Sequence, residues 1–194
     1  MKRFAMALIC AASLAACGTT RVGLKYAPST TPSTLAASAP IDVGSFVDQR
    51  GEPATFIGAI RGGFGNPLKT LDAERPVSEL VRDAFADGLR ARGAAVEAGA
   101  GTLQLTGTIR KLDCNQMARR EANVEIEVSV IERASGKARF VRTYSASNVD
   151  GSLMSLKTGV FADVEDLRAL TEKTLRETVD KALDDGALRA ALKP

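Results

Sequence analysis

Alternation of apolar and polar residues predicts β-strands in the second half of the chain. Residues 122–130 read ANVEIEVSV, so every second residue is apolar and the residues between them are polar or charged. A period of two is typical of a strand with one buried face and one solvated face. Residues 103–109 and 138–149 alternate in a similar way, and Ser135-Gly136 predicts a turn. We therefore expect an antiparallel hairpin over residues 122–149.

Apolar residues at spacings of three and four predict two amphipathic helices. Pro76 suits the first position of the first helix, whose apolar stripe runs from Val77 to Leu89, and Gly93 can end it. The second helix begins near Asp163, where acidic residues favour a helix N-terminus, and it ends near Gly186. Each helix has one side that another element must cover.

The region before the first helix is less regular. Ile41, Val43, Ser45 and Val47 share one face of a short strand. Residues 51–71 are rich in glycine and form either a long loop or an irregular hairpin. A sheet that buries one face needs a cover, so the order of elements predicts an α+β fold. We expect a two-layer sandwich, in which a mostly antiparallel sheet of about four to five strands carries both helices on one face.

The first 16 residues have the pattern of an export signal. Lys2 and Arg3 precede an uncharged apolar stretch at residues 4–12, which is shorter than the roughly 20 residues that a membrane-spanning helix requires. A cationic start followed by a short apolar core is typical of a secretory signal peptide. We therefore predict that residues 1–16 are removed.

The sequence Leu14-Ala15-Ala16-Cys17 resembles the lipobox of bacterial lipoproteins. The resemblance implies that a signal peptidase recognises Leu14, Ala15 and Ala16, and that Cys17 becomes an N-palmitoyl and S-diacylglycerol cysteine. The alternative is an ordinary secretory signal that is cleaved near Ala15 or Ala16. Two or more acyl chains would hold the protein stably to a membrane. Gly18 rather than Asp follows Cys17, which favours the periplasmic side of the outer membrane.

Serine, threonine, proline and alanine are abundant in residues 18–40, which predicts a flexible tether after the lipidated cysteine. Val22, Leu24 and Tyr26 occupy alternate positions, so an edge strand over residues 22–26 is an open alternative. The chain is thus divided into a signal peptide (1–16), a lipidated cysteine with its tether (17–40) and an α+β globular domain (41–194).

The chain of 194 residues contains no histidine. This excludes Ser-His-Asp and Cys-His catalysis as well as histidine metal sites. We find no other catalytic constellation, and we expect no enzymatic activity, no metal site and no cofactor. Loss of Lys2 and Arg3 with the signal lowers the 26 basic residues to 24, against 23 acidic ones. Because basic and acidic residues are interleaved, we expect no nucleic-acid partner.

The three cysteines have separate fates. Cys10 leaves with the signal and Cys17 is lipidated, so Cys114 is the one thiol of the mature chain. No intramolecular disulfide can then form. We expect the thiol of Cys114 to be shielded within the fold, with an intermolecular disulfide as the alternative.

Few residues qualify as a binding site. The glycines of residues 58–65 do not have the spacing of a phosphate-binding loop. Asp48 and Arg50 lie two residues apart at a strand end, so their side chains point the same way. They form either an ion pair that fixes a turn or a recognition spot for a partner. Basic residues at 110–111 and 119–120 have acidic neighbours, which favours a solvated hairpin edge over a phosphate or lipopolysaccharide site.

Taken together, several of these features resemble the YajG-like lipoproteins. They are the lipobox, the strand ending in Val47-Asp48-Gln49-Arg50, the helix ending at residues 89–93, the return strand with Tyr144 and the long C-terminal helix. The resemblance implies an envelope lipoprotein without known enzymatic activity. A weaker similarity is to auxiliary lipoproteins of lipid-transport ABC systems.

The sequence therefore predicts a membrane-anchored, non-enzymatic lipoprotein that binds an envelope protein or serves as an accessory in assembly or transport. The alternative is a binder of a lipid or other apolar ligand, held between sheet and helices or on the solvated face of the sheet. A dry apolar cavity of roughly 300–1,000 Å³ would favour a ligand. A filled core with an exposed apolar patch or edge strand would favour a protein partner.

The anchor can be tested at Cys17. The substitution Cys17→Ala is expected to abolish labelling of the protein by a clickable fatty acid and to release the protein from membranes, because no acyl chain can be attached. Cys114→Ala, which removes the other thiol of the mature chain, is expected to change neither result. Persistent labelling of Cys17→Ala would show that the anchor has been assigned to the wrong residue.

Overall fold

The computed structural model of the protein describes residues 18–29, 35, 39–151 and 163–193. The predicted signal peptide (1–16), with Leu14, Ala15 and Ala16, and the predicted lipidation site Cys17 lie outside these residues. The strands are β1 (Gly18–Val22), β2 (Ile41–Asp48), β3 (Phe56–Arg61), β4 (Pro67–Ala73), β5 (Leu103–Gln116), β6 (Arg120–Glu132) and β7 (Ala138–Asp150). The helices are α1 (Val77–Ala91), α2 (Val164–Leu183) and α3 (Gly186–Ala191).

The strands form one mixed sheet of seven strands in the order β1-β4-β3-β5-β6-β7, with β2 also paired to β5. Among the described residues, β1–β4, β2–β5 and β3–β5 are parallel, whereas β3–β4, β5–β6 and β6–β7 are antiparallel. The prediction of a mostly antiparallel sheet of four to five strands with two helices is therefore wrong. Alternation reveals that a segment is a strand, but it carries no information about the direction of the neighbouring strand.

Strand β5 is the centre of the sheet. One of its edges pairs with β6 from Leu103 to Gln116. The other edge is divided, because β2 pairs with the first half of β5 and β3 pairs with the last residues. Gly58 makes the second pairing possible, since a Cβ atom there would lie 1.8 Å from the carbonyl oxygen of Cys114. The glycine-rich region thus forms the hairpin β3–β4 rather than a long loop.

All three helices belong to one hydrophobic core on one face of the sheet. Helix α1 packs on β2, and α2 packs on β5, β6 and β7. The rings of Phe46 in β2 and Phe85 in α1 stack with their centroids 5.0 Å apart. Alternate residues of β6 from Ala122 to Val130 are buried against the helices, while the residues between them remain partly exposed. The opposite face of the sheet is polar and solvated.

Residues 18–29, the continuous described part of the segment predicted as a tether, pack onto the domain. Strand β1 lies parallel to β4, with Gly18 opposite Lys69 and Val22 opposite Ala73. The side chains of Val22 and Leu24 are buried in the core. The strand lies at residues 18–22, whereas the alternation indicated 22–26. Residues 18–29 therefore form an integral part of the domain, because their apolar side chains have a core to enter.

A buried cluster around Arg92 fixes the end of this segment. The Arg92 side chain is fully buried and donates hydrogen bonds to Asp180 (3.0 Å), Asp184 (2.9 Å) and the carbonyl oxygen of Gly88 (3.1 Å). The Tyr26 hydroxyl donates to the same Asp180 carboxylate at 2.6 Å. Burial, reinforced by this carboxylate, raises the pKa of Tyr26. One guanidinium thus joins the end of α1, the end of α2 and the N-terminal segment.

Two glycines of the hairpin β3–β4 test the pairing of β3 with β5. We expect Gly58→Ala to lower the free energy of unfolding by about 3 kcal/mol or more, because the new Cβ collides with a backbone carbonyl that cannot move aside. In the same hairpin, a Cβ atom added at Gly63 would have open space for 4 Å around it. The matched substitution Gly63→Ala should change stability by no more than about 0.5 kcal/mol in urea unfolding. Equal stability of the two variants would contradict the described register.

Candidate functional site

Asp48 and Arg50, the residues singled out from the sequence, form a buried pair. Only 2% of the Arg50 side chain is exposed. Its guanidinium donates to both Asp48 carboxylate oxygens (2.9 and 2.8 Å) and to the carbonyl oxygens of Phe56, Leu112 and Pro53. Burial alone would raise the pKa of Asp48, but the hydrogen bonds from Arg50 outweigh it and hold this pKa below its usual range.

These bonds engage all five N–H donors of the Arg50 guanidinium. The pair connects the end of β2 to the start of β3 and to β5. The geometry supports the interpretation of an ion pair that fixes a turn. Recognition of a partner through Arg50 would require some of these bonds to break.

The basic residues of the β5–β6 hairpin each contact an acidic neighbour. The ion pairs are Arg110–Glu127 (3.1 Å), Lys111–Asp113 (3.5 Å), Arg119–Glu121 (2.6 Å), Arg120–Asp150 (2.9 Å) and Arg120–Asp166 (3.1 Å). Most of these side chains are substantially exposed, so each pair contributes little to stability. The arrangement fits a solvated hairpin edge, because acidic side chains already offset the positive charge.

Cys114 is fully buried in β5. Burial raises the pKa of its thiol to about 11, so the thiol is protonated and a poor nucleophile at neutral pH. Within the described ranges, no group of three or more Asp, Glu or Cys side chains is arranged to hold a metal ion. No helix in the described part of the chain is long and apolar enough to cross a membrane.

An open cleft of about 710 Å³ lies where β2 and β5 begin and β6 turns into β7. Its lining residues are Ala39, Pro40, Gly101, Thr102, Leu103, Glu132, Arg133, Ala134 and Arg139. Arg133 pairs with Asp42 (2.7 Å) and Arg139 with Glu132 (2.6 Å), so the arginine charges are matched within the chain. Burial alone would raise the pKa of Asp42, but hydrogen bonds from the Gly99 amide and from Arg133 outweigh it and lower this pKa.

Strand β7 presents an open edge. It is 13 residues long and pairs with β6 on one side, and no described strand pairs with its other side. Residues 143–149 carry no charge. Val141 (56% exposed) and Val149 (51% exposed) project into solvent beside this edge. An uncharged stretch of edge can accept a further strand, and natural proteins usually blunt such edges with charged residues or proline, which in β7 are confined to the two ends of the strand (Arg139, Arg142 and Asp150).

Among the described residues, Lys181 partly covers this edge. The Lys181 ammonium donates to the carbonyl oxygen of Ser145 at 3.2 Å. The sequence patterns did not identify β7 as a candidate site. The signal that could have revealed it is the uncharged run at residues 143–149 in a strand that ends the hairpin.

Comparison with curated proteins gave no match. Among solved structures, the fold is similar to that of protein XCC0632 from Xanthomonas campestris, with 12% identity over 89% of this chain and 96% of that chain and a TM-score of 0.63. Two further similar structures are the PelC dodecamer from Paraburkholderia phytofirmans (13% identity, 78% of this chain and 92% of that chain, TM-score 0.45) and lipoprotein GNA1162 from Neisseria meningitidis (10%, 72% and 96%, TM-score 0.32). At these identities the likeness concerns the fold alone.

A family model described as "uncharacterized lipoprotein", Lipoprotein_16, matches residues 29–193. The match covers the helices and every strand except β1. It agrees with the lipoprotein character predicted from the lipobox, at the level of a bacterial lipoprotein family. The protein therefore belongs to this family of uncharacterized lipoproteins.

Proposed function

We propose that this protein is a non-enzymatic envelope lipoprotein that is held by acyl chains on Cys17 at the periplasmic face of the outer membrane and binds a protein partner along β7. Membership of a lipoprotein family supports anchoring in the cell envelope. The choice of the outer membrane rests on Gly18, which follows Cys17 in place of Asp. The features shared with YajG-like lipoproteins agree with this role. The bound partner could then be a component of a transport or assembly system, with this protein as its accessory.

The open edge of β7 is the observation that carries the partner proposal. Its outward backbone groups can pair with an added strand. The half-exposed side chains of Val141 and Val149 would be partly removed from water in the complex, which is favourable. An occupant that forms a strand gains main-chain hydrogen bonds to the outward N–H and C=O groups, which belong to alternate residues of the 13-residue strand β7. Lys181 would have to release the Ser145 carbonyl oxygen, which is a small cost for an exposed side chain.

The non-enzymatic part of the proposal rests on the chemistry of the side chains. The chain has no histidine. The Cys114 thiol is buried and protonated, and the buried carboxylate of Asp42 is paired with an arginine. A general acid or base needs a proton-transfer group that can reach a substrate and titrate near the working pH, and neither of these groups meets that requirement.

An apolar ligand is less well supported than a protein partner. In the described part of the chain, the side chains between the sheet and the helices form one continuous hydrophobic cluster, from Val22 to Leu192. The cleft beside Pro40 has the volume of a ligand site, but it is open and its arginines are already paired. A protein that docks on β7 uses surface that the described part of the fold leaves uncovered.

Photocrosslinking in living cells tests the docking edge. A photoreactive amino acid is placed at Val141, at Val149 or, as a matched control, at Val47, a valine of β2 that is 53% exposed. We expect one adduct of the same mass from Val141 and Val149, at several-fold higher yield than from Val47, because the partner lies along β7. Equal yields from all three positions, or no adduct from β7, would refute docking at this edge.

A further inference from the structure

The register of the sheet brings three features to one end of the molecule. Gly18 lies opposite Lys69, near the start of β4, so β1 begins beside the turn of the hairpin β3–β4. Strand β3 is parallel to β5, with Ile60 opposite Gln116, so the turn between β5 and β6 lies at this same end. The first described residue after Cys17 and two hairpin turns therefore share one end of the sheet, which we call the anchor end.

The first of these turns presents a fully exposed phenylalanine. Phe64 lies in the turn at residues 62–66 and has no cover from the rest of the described chain. The turn is ordered by hydrogen bonds from the Gly62 amide to the Asn66 carbonyl (2.9 Å) and from the Gly65 amide to the Gly62 carbonyl (2.9 Å). Gly65 adopts a φ of 81°, which favours glycine. The fold thus holds a large apolar side chain in solvent at a defined place.

Arg61 stiffens this turn and connects it to the second one. Its guanidinium donates to the carbonyl oxygen of Gly65 (3.1 Å) and to the side chain of Asn115 (3.2 Å), one residue before the end of β5. In the second turn, Met117 is 51% exposed. Two apolar side chains therefore project from neighbouring turns.

The charge of the first hairpin suits an anionic surface. Between Ile57 and Leu71, the charged residues are Arg61 and Lys69, and no acidic residue interrupts them. Apolar side chains flanked by basic ones are typical of surfaces that lie in the interface of a bilayer with anionic lipids.

The predicted lipid on Cys17 would place the anchor end next to the membrane. Cys17 directly precedes Gly18, and one residue of chain spans no more than about 3.8 Å. The acyl chains on Cys17 would therefore enter the bilayer next to β1. Because Gly18 is opposite Lys69 and β4 begins at Pro67, the turn with Phe64 projects beyond Gly18 along the strand axis.

We propose that the anchor end is a membrane seat, in which Phe64 and Met117 insert into the interface of the bilayer that holds the acyl chains of Cys17, while Arg61 and Lys69 face anionic headgroups. This inference rests on the anchor at Cys17 in the proposed function. It gives the domain a fixed orientation. One end of the strands then faces the membrane. The cleft beside Pro40 lies at the other end of β5, and the 14 residues of this strand place it about 45 Å from the anchor end.

The absence of tryptophan from the chain allows a direct test. The full-length lipidated protein carrying Phe64→Trp is reconstituted into anionic vesicles of phosphatidylethanolamine and phosphatidylglycerol in a ratio of about 3:1, with and without brominated acyl chains. We expect a blue-shifted emission and quenching by the brominated lipids. Met117→Trp should behave in the same way. Because this substitution leaves the turn of Phe64 unchanged, it tests the proposal even if Phe64→Trp distorts that turn. The control is Val96→Trp, which replaces an exposed valine beside Ile41 at the opposite end of the sheet and should be quenched several-fold less.

Flotation of the same vesicles separates the two proposals. Protein that floats with the vesicles while Phe64→Trp is quenched no more than Val96→Trp overturns the membrane seat and leaves the anchor standing. Protein that neither floats nor carries acyl chains overturns the anchor, and the seat with it. Flotation together with strong quenching of Phe64→Trp supports the seat.

Discussion

The buried guanidinium of Arg92 holds together parts of the chain that are far apart in sequence. A charge without solvent is costly unless it is paired and fully hydrogen-bonded. Asp180 and Asp184 supply the opposite charge, and with the carbonyl oxygen of Gly88 they accept three hydrogen bonds from the guanidinium; Tyr26 shares the carboxylate of Asp180. Gly88 leaves room for this arrangement, because a Cβ there would lie 2.5 Å from a Leu183 methyl group and 3.0 Å from the Tyr26 hydroxyl.

This cluster fixes the position of the segment that follows the predicted lipidation site, Cys17. With Tyr26 fixed at one end and β1 paired to β4 at the other, the residues after Cys17 cannot swing as a free linker. The predicted anchor is then joined directly to a rigid sheet. A rigid connection transmits orientation, so with the proposed lipid on Cys17 the turn carrying Phe64 and the edge of β7 would have defined positions relative to the membrane. For the binding role that we propose, such positioning is a sufficient basis for function in the envelope.

Local patterns predict part of this structure. Residues 122–149 form a hairpin, and the apolar stripes lie on α1 and α2, because these features depend on the periodicity of a single segment. The parallel pairing of β2 and β3 with one edge of β5 depends on contacts between distant segments, and no local pattern encodes it. The same holds for Arg92, whose sequence position indicates only a favourable charge at a helix C-terminus. In residues 18–29 the composition predicts a tether, whereas the alternation of Val22, Leu24 and Tyr26, which left an edge strand as an alternative, marks the side chains that pack on the domain.

The most direct test of this account is limited trypsin digestion of the lipidated protein on vesicles, with the fragments identified by mass spectrometry. If residues 18–29 are docked, the bonds after Arg21 and Lys25 should be cut no faster than bonds inside the sheet, because proteolysis requires the local chain to open. The domain should then remain on the vesicles. Rapid cleavage after Arg21 or Lys25 that releases an otherwise intact domain would contradict the account and show that these residues are a flexible tether.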